Sequence, residues 1–276
     1  MKTKSKKSLE RSFIATIGQF TFCCHDAIEE IQNTANLPLF CYERLAAANL
    51  CTLHINRICN LFEHILTQDD PQKQKIQSFY PENILSGIAK TLTDTVADHI
   101  SLKINCNPDA ICNFPVAVNQ TEFEFAFLNL LYCSIRSGDD SPHKTTRISL
   151  SAKELKDHIQ FHIKDNGNLL NPLIANSLGV EHISIPQFAS PRDSLISFSF
   201  DVVSQIISGM KGTFSYKPLK SGNRYHITLP KSPKNLPDIA NSPAIYIPNI
   251  QFYQKIFGDI IEESQIHQFD LGEDLL

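Results

Sequence analysis

A chain of 276 residues, 42% hydrophobic and 20% charged, has the size for two modest domains or for one domain with a helical appendage. Its net charge of −4 gives no reason to expect nucleic acid as the main partner, and no apolar run approaches the ~20 residues of a membrane span. The basic start MKTKSKK leads into no compact apolar core of the secretory kind, so a cytoplasmic protein is expected.

Eight cysteines suit that compartment as small, reduced core residues. Their spacing contains no CxxC, and Cys51 with His54, one helical turn apart, lacks the two further ligands that zinc needs, so no metal site is expected. Ten glycines are about half the usual ~7%, which is sparse for a fold that cradles phosphate.

From Leu9 to Leu37 the residues Ile14, Ile17, Thr21, Cys24, Ile28, Ile31 and Ala35 recur every three or four positions, which predicts a long helix ended by Pro38. Tyr42 to Leu66 repeats the pattern through Ala47, Cys51, His54, Ile58, Leu61 and Ile65. Joined by a short loop, the two make an antiparallel helical hairpin over residues 1–70. Phe13, Phe20, Phe22, Leu50, Leu53 and Phe62 widen its apolar surface beyond what one hairpin buries. Pairing two hairpins into a four-helix bundle, which makes the chain a homodimer, would cover that surface; packing against the rest of the same chain is the alternative.

The linker QDDPQKQK leads to a mixed region, 76–230. Periodicity predicts helices at 82–97, 120–136 and 194–209, and strands at 100–106, 111–118, 212–217 and 223–229. TTRISLSA and HIQFHIKD alternate as the two strands of a hairpin, and 166–193 reads as irregular. Helices gathered on one side of a largely antiparallel sheet make an α+β layer. Residues 231–276 read as a proline-rich linker followed by a short amphipathic helix in IQFYQKIFGDIIEES and an acidic end.

In this order the elements over residues 9–230 resemble the core of a sensor histidine kinase, a dimerising hairpin followed by the ATP-binding domain shared with gyrase and the Hsp90 chaperones. TEFEFAFLNLLYCSIRS resembles the asparagine box and IKDNGNLL the first glycine box. SFSF stands where the second glycine box carries GLGL, ahead of VVSQIISGMKGTF, and RICNLFEHIL resembles the second hairpin helix. The resemblance implies a two-layer α/β sandwich of the histidine-kinase ATPase type. It also implies nucleotide binding through Asn129, Asp165 and Gly167, with the Asp165 carboxylate accepting from the adenine amino group. As the first residue of an Asp-Asn-Gly turn, Asp165 equally needs no ligand.

The departures fall at the phosphate end. Cys133 replaces the second metal-coordinating asparagine, and a thiol is a poor ligand for Mg²⁺. Leu169 replaces a glycine of the first box, and Ser197 and Ser199 replace both glycines of the second. A serine adds a Cβ and restricts φ where backbone N–H groups would approach phosphate. In the histidine box Gln19 takes the histidine's place, while His25-Asp26 lies six residues on, with Glu30 where a proline would follow. An imidazole beside a carboxylate is the pair a phosphoacceptor uses, and a surface histidine on an amphipathic helix is the plain alternative. Cys24-His25-Asp26 also resembles the acceptor motif of phosphorelay histidine phosphotransferases, whose ATP-type domain no longer binds nucleotide.

These readings give a two-component signalling protein with a degenerate kinase core, acting as a histidine phosphotransfer or regulatory binding module toward a response-regulator receiver domain, without a cofactor. A working ATP- and Mg-dependent kinase and a non-catalytic dimeric scaffold are the alternatives.

Overall fold

The computed structural model describes residues 76–96, 101–106, 115–138, 145–177, 191–232, 246–257 and 260, together with Ile17, Cys24, Ala48, Ile55, Arg57, Ile58 and Leu61. In chain order the elements are β1 (Gln77–Phe79), α1 (Pro81–Val96), β2 (Leu102–Cys106), β3 (Val116–Val118), α2 (Gln120–Gly138), β4 (Thr146–Glu154), β5 (His158–Asp165), α3 (Pro172–Ser177), α4 (Pro191–Gly209), β6 (Thr213–Pro218), β7 (Asn223–Pro230) and α5 (Ile250–Phe257). The seven described residues of the amino-terminal region are all helical, and the Cys24 thiol lies 4.0 Å from the carbonyl of Ala48.

Five strands form one sheet in the order β2-β4-β5-β7-β6. The predicted hairpin of TTRISLSA and HIQFHIKD pairs antiparallel from Ile148 opposite Asp165 to Glu154 opposite Ile159, and β7 and β6 extend the sheet antiparallel. Only β2 runs parallel to its neighbour β4. A separate ribbon of β1 and β3 is bound to the end of β7 through a bridge from Val116 to Lys231.

Alternation sorts the two faces of the sheet. Ile159, Phe161, Ile163 and Asp165 of β5, with Tyr225, Ile227 and Leu229 of β7, are buried beneath the helices. His162, Lys164, Arg224 and His226 turn the other way.

Helix α2 is buried continuously from Glu122 to Ile135, around its whole circumference, so it must be covered on more than one side. On one side the rings of Phe123 and Phe127 meet Phe161 edge-on, with centroids 5.8 and 5.4 Å apart. On the other side lies α5, with Phe252 against Phe125 at 5.2 Å and Phe257 against Tyr132 at 5.8 Å. Tyr246, ahead of α5, donates its hydroxyl proton to the buried Glu124 carboxylate of α2.

Three expectations change. The stretch read as irregular contains α3, and α4 begins at Pro191, three residues upstream of the predicted start. A proline at the first helical position has its φ preset and no N–H to leave unpaired, and both helices open on one. The linker expected through Pro248 has ended by Tyr246, because that side chain docks on α2.

Phe257→Ala should lower the unfolding free energy by about 3–5 kcal/mol, the range for emptying a buried aromatic site, in urea titrations followed by circular dichroism. A change below about 0.5 kcal/mol would mean that α5 is a solvated appendage.

Candidate functional site

The middle of α2 carries Asn129, fully buried, with its Nδ2 donating to the Phe125 carbonyl at 2.8 Å. Its Oδ1 accepts from Arg57 Nη2 at 2.9 Å, and the same nitrogen reaches Ser199 Oγ of α4 at 3.4 Å. Arg57 Nη1 donates to the carbonyl of Ile256, in the last turn of α5, where carbonyls lack helical partners and the helix dipole is negative. The guanidinium carbon stands 3.5 Å above the centre of the Tyr132 ring. One buried cation thus joins the helical region before residue 66 to α2, α4 and α5. Its charge is met by two side-chain oxygens, a carbonyl and a ring face.

Cys133, one turn on from Asn129, is fully buried, and burial pushes its thiol up to about 12 against the lowering effect of the Arg57 charge. It therefore remains a neutral thiol.

SFSF lies inside α4, in its second and third turns. All four side chains are buried, Phe198 and Phe200 completely. Ser199 Oγ donates to the Leu195 carbonyl at 2.9 Å, the back-bond of a serine within a helix. The backbone N–H groups of 197–200 belong to the helix interior, and the open turn of α4 lies at Pro191.

The third part of the site is the turn after β5. Asp165 Oδ1 accepts from Gly167 N at 3.0 Å, Asn223 N at 3.1 Å and Asn223 Nδ2 at 2.8 Å. Its Oδ2 is buried without a partner, as are Ser134 Oγ and Tyr225 Oη. Burial raises the Asp165 carboxyl above its ordinary range, against the lowering effect of the hydrogen bonds from Asn223 and Gly167. The Tyr225 hydroxyl is driven up by burial first and by the Asp165 charge second.

Asn166 closes the turn, accepting from Arg147 N at 2.7 Å and donating to the Thr145 carbonyl at 3.0 Å. Gly167 rests on the end of α2, where an added Cβ would lie 2.1 Å from Ser137 Oγ, and Asn168 N donates to the Ser137 carbonyl at 2.7 Å. Gly222 has φ +94, and a Cβ there would meet the Asp165 carbonyl at 1.9 Å.

Sequence reasoning missed two residues that organise this site, Arg57 and Asn223. The Asn223 amide holds the whole turn, for its Oδ1 also accepts from Leu170 N at 3.3 Å and the Tyr216 hydroxyl at 2.9 Å, while Nδ2 also donates to the Asn168 carbonyl at 2.8 Å. A hint lay in Ser-Gly-Asn, a turn that delivers an amide side chain at a strand start. Of the predicted residues, Asn129 belongs to the Arg57 node, and Asp165 and Gly167 to the turn after β5. His25 and Asp26, like Cys51 and His54, lie outside the described residues. Among the described residues no cluster of histidine, cysteine, aspartate and glutamate could hold a metal ion, and no helix is long and apolar enough to cross a membrane.

Asn223→Ala should cost about 2–3 kcal/mol of stability, since it strips the side-chain donor, one of three, from Asp165 Oδ1 and removes the acceptor of Leu170 N and the Tyr216 hydroxyl. Equilibrium urea unfolding measures it, and a loss under about 0.5 kcal/mol would show that the turn stands without this amide.

No protein-family model and no curated protein matches the chain. Solved structures do. The histidine kinase ThkA in complex with response regulator protein TrrA superposes with a TM-score of 0.53 at 12% identity, covering 79% of this chain and 60% of that one. The Acinetobacter baumannii histidine kinase AdeS gives 0.47 at 14% identity over 78% of this chain and 96% of its own. The mycobacterial sensor histidine kinase MprB gives 0.40 at 15% identity over 58% and 99%. With its five-stranded sheet and the helical layer on one face, the chain has the fold of the histidine kinase ATPase core.

Proposed function

We propose that the chain is a two-component signalling protein whose kinase core no longer uses ATP and which serves as a histidine phosphotransfer or regulatory binding module. The observation that carries this reading is the Arg57 guanidinium, bonded to Asn129 and Ser199 at the end of the site where the resemblance would put metal and phosphates. Both ends of the Asn129 amide are engaged, Cys133 is a neutral thiol, and the N–H groups of 197–200 are spent within α4. These groups do not fit Mg·ATP. A deficit of ~4 kcal/mol, from contacts worth ~1–3 kcal/mol each, moves a ten-micromolar affinity into the millimolar range.

In this reading residues 1–70 form the dimerising hairpin with His25 as acceptor, 76–230 the ATPase-like domain, and 231–276 the carboxy-terminal segment. The partner is a receiver domain, by analogy with the ThkA–TrrA complex. An imidazole nitrogen of His25 would attack the phosphorus of an aspartyl phosphate, the P–O bond would break to release the carboxylate, and Asp26 would take the imidazole proton.

Isothermal titration with Mg·ATP decides between this reading and a working kinase, which the unpartnered Asp165 Oδ2 favours as a seat for the adenine amino group. The expected result is no saturable heat below about 1 mM, whereas a dissociation constant near ten micromolar would put the working kinase first.

The acceptor is tested separately. His25→Gln should abolish acid-labile phosphate uptake from a phosphorylated receiver domain while leaving the melting temperature within about 2 °C, as expected for a surface change. Full uptake by the variant would remove His25 from the role.

A further inference from the structure

The face of the sheet turned away from the helices gathers positive charge. Lys164 on β5 stands opposite Arg224 on β7, which stands opposite Lys217 on β6. One pleat along, His162 faces His226, their rings edge to face with centroids 4.7 Å apart. On β4, Arg147 and Lys153 point to the same side, and Lys103 on β2 lies beside Arg147. None of the five strands turns an aspartate or glutamate outward on this face, and among the described residues none of these six cations has a carboxylate partner.

Facing like charges across antiparallel strands ~5 Å apart destabilises a sheet, so this arrangement opposes folding unless something outside supplies negative charge. Two buried nitrogens on the face, His162 Nδ1 and Arg224 Nε, have no hydrogen-bond partner. The His162 imidazole is held down to about 4, by burial first and then by His226, Arg224, Lys164 and Lys153. His226 is lowered by burial and then by Arg224, Lys217 and Lys164. Both rings therefore sense the surrounding cations.

We propose that this sheet face is a docking surface for an acidic polypeptide segment. Carboxylates spread along one segment would meet cations that neighbouring strands β5, β7 and β6 set side by side, Lys164, Arg224 and Lys217. The overall charge of −4 opposes long-range attraction of a nucleic-acid polyanion, while a short acidic segment meets only the local field. Segments of this chemistry exist in the chain itself, for residues 258–276, GDIIEESQIHQFDLGEDLL, carry six carboxylates and no lysine or arginine.

The test titrates the full chain with a synthetic peptide of residues 258–276 and follows the His162 and His226 ring resonances by NMR. Saturable shifts are expected, with both imidazole pKa values rising because a bound carboxylate stabilises the imidazolium. Binding should fade as salt rises from about 50 to about 500 mM. Lys164→Glu/Arg224→Glu/Lys217→Glu should weaken it roughly tenfold or more with an unchanged circular dichroism spectrum, and the peptide with every carboxylate replaced by its amide should not bind. No shift at millimolar peptide in low salt overturns the proposal. Tighter binding of duplex DNA than of the peptide also overturns it and assigns the face to nucleic acid.

Discussion

A helix that is buried on every side cannot end at one interface, and α2 is such a helix. The sheet and α4 cover part of it. The part with Phe125, Asn129 and Tyr132 is met by α5 and by the Arg57 side chain. The positions of α4 and α5 meet the need to enclose α2. The same enclosure buries Asn129 and Ser199, and the Arg57 guanidinium bonds to both.

Much of the architecture was legible because its causes are local. The alternation in HIQFHIKD separates a buried face from a charged one without knowledge of any neighbour, and the helical period of VVSQIISG did the same for the second half of α4. What was not legible depends on partners far along the chain. Arg57 meets Asn129 across 72 residues and Ser199 across 142. Asn223 meets Asp165 across 58. A single arginine on a predicted amphipathic helix reads as a solvated residue, and nothing in its own segment says that four acceptors await it.

The serines of SFSF are part of a helix rather than of a glycine-rich turn. The predicted helix over 194–209 already contained them, and the structure starts it three residues earlier. Serine has a better helix propensity than glycine by about 0.5 kcal/mol, and two such exchanges beside Phe198 and Phe200 let α4 run back to Pro191. The amide groups are then consumed by the helix rather than obstructed by side chains.

The bond from Arg57 to the Ile256 carbonyl spans 199 residues of sequence. Such a contact forms only after the intervening chain has been made, so during synthesis α2 is complete well before α5 can cover it. Through that interval the Phe125 and Tyr132 face stands open to other chains on the same messenger and to chaperones. Final closure of this fold is therefore timed by the ribosome's progress to residue 257.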